Sequence, residues 1–264
     1  MKIKCIQPDM RFADPDYNFN AVKEAIAEAV KTPADVLVLP ETWNTGFFPK
    51  ENLALLSDQN GERVKKEIGE LAKKYGVNIV AGSVANLVDG KVYNTACIFD
   101  RTGACIGEYN KIHAFTPMGE HEYFAQGDRI CTFLLDGVKC GIIICYDIRF
   151  PELTRTMTID GLDILFVVSE WPKIRIPHLL ALTKARAIEN QMFVVCTNSC
   201  DKSGDTVYGG SSSVHDPWGE QLALAGDEPE IIEADCDLSI LSGIRSSINV
   251  FRDRRPEVYK TDRK

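Results

Sequence analysis

The chain has 264 residues, of which 45% are apolar and 26% are charged. This composition is that of a folded globular protein of one or two domains, and it excludes disorder, collagen and a continuous coiled coil. The 30 basic and 38 acidic residues give a net charge of −8. Such a charge disfavours binding to nucleic acid and to anionic membrane surfaces.

Apolar residues recur at three- and four-residue intervals in some segments and form short continuous runs in others. Taken in chain order, these patterns predict helices that alternate with buried strands. The predicted helices cover residues 19–30, 64–75, 151–160, 178–190 and 238–248. The predicted strands are the N-terminal residues and residues 35–39, 77–83, 92–99, 104–110, 138–145, 163–169, 192–199, 211–215, 220–225 and 229–236. This alternation predicts an α/β layered fold. Because no Ser-, Gly- or Pro-rich linker divides the chain, we expect a single domain over residues 1–264.

Cysteine usage and hydropathy indicate the cellular environment. Nine cysteines, an odd number, match no disulfide framework. The N-terminus turns polar too soon for a signal peptide, and no segment approaches the roughly 20 apolar residues of a membrane span. We therefore expect free thiols in a reducing cytoplasm. A metal site is not expected, because no Cys-x-x-Cys pair occurs and the four histidines lie singly.

Polar residues follow three of the predicted strands. Glu41 comes after residues 35–39, Lys111 comes after residues 104–110, and Cys145 ends the run GIII. Ligands of α/β sheets bind outside the carboxyl ends of strands. A carboxylate, an ammonium and a thiol are the groups that nucleophilic catalysis needs as base, charge stabiliser and nucleophile. Each residue alone also has a structural interpretation, as a solvated charge or a buried thiol.

Three sequence blocks carry a resemblance to a known family. LPETWNTGF (residues 39–47), YNKIH (109–113) and GIIICYDIRFPE (141–152) resemble the motif blocks of the nitrilase, or carbon–nitrogen hydrolase, superfamily. ARAIENQ (185–191) and DPWGE (216–220) are similar to later landmarks of that family. The resemblance therefore extends over nearly the whole chain.

The resemblance implies a four-layer α-β-β-α sandwich and a catalytic triad. Glu41 would be the general base, Lys111 the oxyanion stabiliser and Cys145 the nucleophile. A second glutamate often follows the lysine block, and Glu120 fits its spacing better than Glu122. The family also implies a homodimer or a higher homo-oligomer, with a C-terminal arm from about residue 249 that crosses a partner subunit.

The expected chemistry is amide hydrolysis through a thioester, with release of ammonia. A free thiol has a pKa of about 8.5 and needs a base such as Glu41 to become a nucleophile at neutral pH. Lys111 and the backbone N–H of Tyr146 would hold the oxyanion, helped by the helix that begins near Pro151. Because losing one such donor costs about 2.7–4 kcal/mol, we expect Lys111→Ala to lower turnover at least roughly a hundredfold without unfolding the protein. No metal or organic cofactor is required.

Two further segments narrow the substrate class. The segments EWPKIR (170–175), with His178 after it, and EHEYFAQG (120–127) resemble the ω-amidase branch. That branch hydrolyses 2-oxo dicarboxylic monoamides such as 2-oxoglutaramate. A substrate carboxylate needs a cationic partner, for which Arg175 is the candidate, although a structural ion pair explains this residue equally well. Trp171 and Phe47 are candidate pocket walls.

Other interpretations stay open at this point. The chain could be another amidase or an N-carbamoyl amine hydrolase, or it could transfer the acyl group to an amine. A non-catalytic binding scaffold on the same fold is the alternative from a different class. Arg149 is interpreted as a framework residue, His113 as structural or as orienting the lysine loop, and Asn94 receives no role.

Overall fold

Two mixed β-sheets form the centre of the molecule in the computed structural model, which describes residues 1–47, 49–200 and 202–262. The strands of the first sheet, in spatial order, are Glu230–Asp235, Lys2–Gln7, Val36–Val38, Asn78–Val88, Lys91–Phe99 and Cys105–Asn110, with Asp58–Gln59 paired to Asn78–Val88. Those of the second sheet are Gln221–Leu224, Ser213–His215, Phe193–Asn198, Ile164–Ser169, Val138–Ile144 and Thr132–Leu135. A separate hairpin pairs Lys202–Ser203 with Thr206–Val207.

Helices lie on the outside of these sheets. The α-helices are Pro15–Ala29, Leu53–Leu56, Glu62–Tyr75, Pro151–Thr158, Ile176–Asn190 and Ile240–Ser247. Single 3-10 turns are formed by Thr116–Met118, Glu120–Glu122, Cys145–Arg149, Lys173–Arg175 and Pro256–Val258. No helix in these described ranges is long and apolar enough to cross a membrane.

The layer order follows from the period of two along each strand. Val36 and Val38 pack into the core shared by the two sheets, whereas Leu37, between them, packs into the core beneath the outer helices. Phe19 and Ile68, on helices Pro15–Ala29 and Glu62–Tyr75, complete that second core. The result is the expected four-layer α-β-β-α sandwich, which confirms the predicted fold class.

Local sequence signals explain two of the observed helix ends. Asp14 caps the first helix by accepting a hydrogen bond from the Tyr17 N–H at 3.0 Å. Gly76 ends the second long helix with a φ of +62°, a left-handed conformation that glycine adopts without steric strain. The strand Thr132–Leu135 was not predicted, because its four residues alternate between exposed and buried positions at a sheet edge and are too few to establish a period.

The C-terminal segment carries less regular structure than the rest. Beyond helix Ile240–Ser247 it contains the turn Pro256–Val258, and the Arg155 guanidinium lies 4.9 Å from the ring centroid of Phe251. The arm that crosses a partner subunit stays a prediction, as does the single-domain assignment.

Candidate active site

The three strand ends that carry Glu41, Lys111 and Cys145 converge from both sheets. Lys111 and Cys145 line one cavity, and the fully buried Glu41 lies behind the lining, in contact with Lys111. Glu41 follows Val36–Val38 and Lys111 follows Cys105–Asn110 in the first sheet, whereas Cys145 follows Val138–Ile144 in the second. The space within the cavity, counted together with the solvent open at its mouth, is about 390 Å³. Its lining residues are Phe47, Lys111, Phe115, Met118, Cys145, Tyr146, Arg149, Glu170, Trp171, Pro172, Arg175 and Tyr208.

Cys145 directly follows the buried strand Val138–Ile144 and is the first residue of the 3-10 turn Cys145–Arg149. Its φ of +48° is left-handed, a conformation that L-residues avoid at a cost of roughly 1–2 kcal/mol. The buried Asp147 carboxylate holds this turn by accepting hydrogen bonds from the Ile144 N–H at 3.0 Å and the Tyr109 hydroxyl at 2.7 Å. The turn presents the thiol to the cavity wall, as strained elbows do for nucleophiles in other hydrolases.

Lys111 lies between two carboxylates. Its Nζ is 2.8 Å from Glu41 Oε1 and 2.9 Å and 3.0 Å from the two oxygens of Glu120. We call Glu41, Lys111 and Glu120 the carboxylate–lysine cluster. All its members are buried, with at most 3% of any residue exposed. Glu122 is exposed, so the structure brings Glu120, and not Glu122, onto the lysine.

Each carboxylate of the cluster is fixed by further donors. Glu41 Oε1 also accepts a hydrogen bond from Asn94 Nδ2, and Glu41 Oε2 accepts one from the Glu170 backbone N–H, both at 2.8 Å. Glu120 Oε2 accepts the Phe115 N–H at 2.6 Å. These contacts hold the Glu41 and Glu120 carboxylates and the Lys111 ammonium in fixed positions.

The electrostatics of the site follow from burial and these charges. Burial alone would lower the pKa of Lys111, but the Glu120 and Glu41 carboxylates outweigh it and hold that pKa well above its usual range. Burial and then the Glu41 carboxylate raise the pKa of the Cys145 thiol well above its ordinary value. These directions favour an ammonium at Lys111 and a neutral thiol at Cys145.

Two guanidinium groups also line the cavity, and we call Arg149 and Arg175 the arginine wall. Arg149 lies 4.8 Å from the Trp171 ring centroid, and Arg175 lies 5.2 Å from that of Phe115. Within the described residues, neither arginine forms an ion pair with a carboxylate. Two cations that face a cavity without counter-charges suit an anionic ligand.

The other predicted site residues also lie at this cavity. Tyr146, Trp171 and Phe47 line it, and Trp171 Nε1 donates a hydrogen bond to the Arg175 carbonyl oxygen at 2.8 Å. Arg149, interpreted from sequence as a framework residue, is part of the lining as well. In the part of the chain that the structure describes, no three His, Cys, Asp or Glu side chains are grouped as a metal site requires.

Sequence reasoning missed three residues of the site: Asn94, Asp147 and Glu170. Asn94 and Asp147 left no local signal, because a polar residue inside a strand or a turn has many structural explanations. Glu170 did leave one, since it follows the buried strand Ile164–Ser169 just as Glu41 follows Val36–Val38. His113 contacts Asp147 Oδ1 through its backbone N–H at 3.0 Å and its Nδ1 at 2.8 Å, which ties the lysine loop to the turn at Cys145.

Comparison with known proteins identifies relatives along the whole chain. The sequence profile of the family described as carbon-nitrogen hydrolase matches residues 2–246. A 2-oxoglutaramate amidase of Bacillus subtilis is 44% identical over 97% of this chain and 98% of that protein. The human omega-amidase NIT2 is 33% identical over 90% of each chain. The solved structure of XC1258 from Xanthomonas campestris, a CN-hydrolase superfamily protein, superimposes with a TM-score of 0.90 at 26% identity over 97% of both chains.

Proposed function

Because the chain belongs to the carbon–nitrogen hydrolase family, we propose that it hydrolyses the terminal amide of a 2-oxo dicarboxylic monoamide such as 2-oxoglutaramate, releasing ammonia. The observation that carries the chemistry is the convergence of Glu41, Lys111 and Cys145 at one cavity. The substrate class is supported by the arginine wall and by the name of the Bacillus subtilis relative.

The first half of the reaction forms a thioester. Cys145 Sγ attacks the amide carbon while Glu41 takes the thiol proton, and the carbonyl electrons move onto oxygen. The Lys111 ammonium and the Tyr146 backbone N–H stabilise that oxyanion. When the tetrahedral intermediate collapses, the C–N bond breaks and Glu41 returns its proton to the leaving nitrogen, which departs as ammonia.

The second half releases the acid. Glu41 removes a proton from water, the hydroxide adds to the thioester carbon, and the same donors hold the second oxyanion. The S–C bond then breaks and the thiolate recovers a proton from Glu41. Glu120 accepts hydrogen bonds from Lys111 and, within the described residues, forms none with Glu41, the proposed base. We therefore assign Glu120 the role of holding the ammonium in position.

The arginine wall supports a substrate with a free carboxylate. Arg175 and Arg149 are cationic at neutral pH and face the cavity that also contains the thiol. A carboxylate bound there supplies a counter-charge for the two guanidinium groups, which form no ion pair within the described residues. Neutral aliphatic amides supply neither guanidinium group with a counter-charge and are therefore poorer substrates.

Ammonia release from 2-oxoglutaramate tests this proposal. We expect turnover by the wild type and a loss of about 10⁴-fold or more in Cys145→Ala, because the nucleophile is removed. Cys105→Ala, which removes an exposed thiol outside the cavity, is the matched control and keeps full activity. A panel with a neutral aliphatic amide and an N-carbamoyl amine separates the other family activities, and preference for either would overturn the 2-oxo assignment.

We also propose a cytoplasmic homodimer formed by this single-domain chain. An apolar group of Ile188, Trp218, Leu222 and Leu224 is exposed on helix Ile176–Asn190 and the adjoining sheet edge, where a second copy could cover it. Analytical ultracentrifugation tests the assembly. A monomer at micromolar concentration would contradict it.

A further inference from the structure

The cavity wall contains a third buried carboxyl group that the mechanism above does not use. Glu170 is only 3% exposed and lines the cavity beside Trp171. Its Oε2 is hydrogen-bonded to the Thr42 hydroxyl. Its Oε1 is buried and has no hydrogen-bond partner among the described residues. A buried polar atom without a partner is rare in folded proteins and needs an explanation.

The charges around Glu170 decide its protonation state. Three buried carboxyl groups, on Glu41, Glu120 and Glu170, share one ammonium, and the Lys111 Nζ contacts the first two only. An isolated buried carboxylate is strongly disfavoured in a medium of low polarity. Burial, and then the Glu41 carboxylate, raise the pKa of Glu170 well above its usual range. The titratable and charged groups that face the same space are Glu41, Lys111, Glu120, Cys145, Arg149, Arg175 and Tyr208.

Oε2 of Glu170 accepts a hydrogen bond from the Thr42 hydroxyl, so the proton of a neutral Glu170 carboxyl group is placed on Oε1. That oxygen is then a hydrogen-bond donor, as in enzymes that keep a buried carboxylic acid protonated at neutral pH in order to donate. It matches a substrate atom that is an acceptor and repels no negative charge. An ionised Glu170 would instead attract a cation, such as the ammonium of an amino acid.

The proposed substrate has three oxygen-bearing groups, and two are already assigned. The oxygen of the scissile amide faces Lys111 and the Tyr146 N–H, and the carboxylate faces the arginine wall. The 2-oxo oxygen is left without a donor. Resting on the proposed function, we propose that Glu170 is a specificity-determining residue that donates a hydrogen bond from a protonated Oε1 to the 2-oxo oxygen of the substrate.

Infrared spectroscopy tests the protonation state without any turnover. In protein labelled with ¹³C at the glutamate side-chain carboxyl, we expect a protonated-carboxyl C=O band at neutral pH that is absent from Glu170→Gln. Glu152→Gln, at an exposed position outside the cavity, is the control and keeps the band. A wild-type-minus-Glu170→Gln spectrum that contains only carboxylate bands would overturn the proposal.

Kinetics with a matched substrate pair test the contact. Glu170→Met removes the donor at similar length, and we expect it to raise KM for 2-oxoglutaramate roughly three- to tenfold, the range of one neutral hydrogen bond. KM for glutaric acid monoamide, which lacks the 2-oxo oxygen, stays within about twofold, since it makes no such bond. Glu170→Gln, whose amide also donates, is the conservative rescue, and its KM for 2-oxoglutaramate should lie closer to that of the wild type than to that of Glu170→Met.

The outcomes separate this proposal from the proposed function. Equal KM changes for both substrates in Glu170→Met indicate a merely structural effect and overturn the assigned contact, as does an unchanged KM for 2-oxoglutaramate. If Glu170→Met does not fold, the infrared comparison with Glu170→Gln still decides the protonation state. If the wild type releases no ammonia from 2-oxoglutaramate, the proposed function fails, and the infrared result stands apart from that failure.

Discussion

The carboxylate–lysine cluster and the arginine wall lie at the same cavity but treat charge in opposite ways. In the cluster, the Lys111 ammonium is within 3.0 Å of carboxylate oxygens of both Glu41 and Glu120. In the wall, Arg149 and Arg175 contact aromatic rings and, within the described residues, form no ion pair. The charges of the cluster are therefore paired in the free protein, whereas those of the wall have no counter-charge among the described residues and receive one only from a ligand.

From this difference we expect the cluster to act in catalysis and the wall to act in substrate recognition. Charges that are paired inside the protein keep their positions during the reaction, so the cluster can stabilise a transition state without reorganising. Charges that lack a partner in the free protein gain the most from a ligand that supplies one. Changes in the cluster should therefore lower kcat, whereas changes in the wall should raise KM for anionic substrates.

Lys111→Ala gives the largest expected effect in this comparison. It removes the oxyanion donor, so turnover should fall at least about 100-fold, measured as kcat for ammonia release. The structure adds a stability effect to the sequence-based expectation, because Glu41 and Glu120 are then left buried and unpaired. Breaking a buried ion pair from one side typically destabilises by about 3–5 kcal/mol, which thermal unfolding would reveal.

A double variant separates the two effects. Lys111→Met combined with Glu120→Gln removes one positive and one negative charge and should recover much of the lost stability but none of the turnover. Near-wild-type kcat in either variant would remove Lys111 from the mechanism. Recovery of turnover together with stability would mean that the lysine is only a structural counter-ion.

Arg175→Met tests the wall. It removes a charged hydrogen-bonding partner, so KM for 2-oxoglutaramate should rise about 10- to 100-fold while KM for a neutral aliphatic amide stays unchanged. Lys173→Met is the matched control, because Lys173 lies in the same turn but is exposed and pairs with Asp227 at 2.6 Å. Equal changes for the anionic and neutral substrates would argue against a carboxylate clamp.

The pH dependence of thiol alkylation gives the smallest effect. Because burial and Glu41 raise the pKa of Cys145, its alkylation by iodoacetamide should keep accelerating above pH 8.5, the approximate pKa of an ordinary thiol. Glu41→Gln removes the negative charge and lowers that pKa, so alkylation at a fixed pH should become severalfold faster while ammonia release falls. Slower alkylation in Glu41→Gln would contradict this electrostatic account.

That measurement needs a background without Cys105. A hydrogen bond with Cys97 lowers the pKa of the exposed Cys105 to about 7, so this thiol also reacts with alkylating reagents. The Cys105→Ala background removes this signal, and the remaining rate belongs to the cavity thiol. In wild-type protein the two rates would overlap.

The order of the elements and the residues of the cluster were accessible from sequence, because both depend on local pattern. Alternating buried strands predicted the layers, and polar residues at strand ends predicted Glu41, Lys111 and Cys145. Sequence could not establish that these side chains meet, since 34 to 104 chain positions separate them and they come from two different sheets. Asn94 escaped notice because its contact with Glu41 joins two segments of the first sheet that lie 53 positions apart in the chain. Asp147 escaped notice because its contact with the Tyr109 hydroxyl joins the turn after a strand of the second sheet to a strand of the first.

Trapping the covalent intermediate is the most direct test of the central claim that Cys145 carries the acyl group. After rapid acid quenching of enzyme that is turning over 2-oxoglutaramate, peptide mass spectrometry should find an adduct of the substrate minus ammonia on the peptide that contains Cys145. The adduct should be absent from Cys145→Ala. An acyl group on another cysteine with Cys145 unmodified, or ammonia release that persists in Cys145→Ala, would contradict the account.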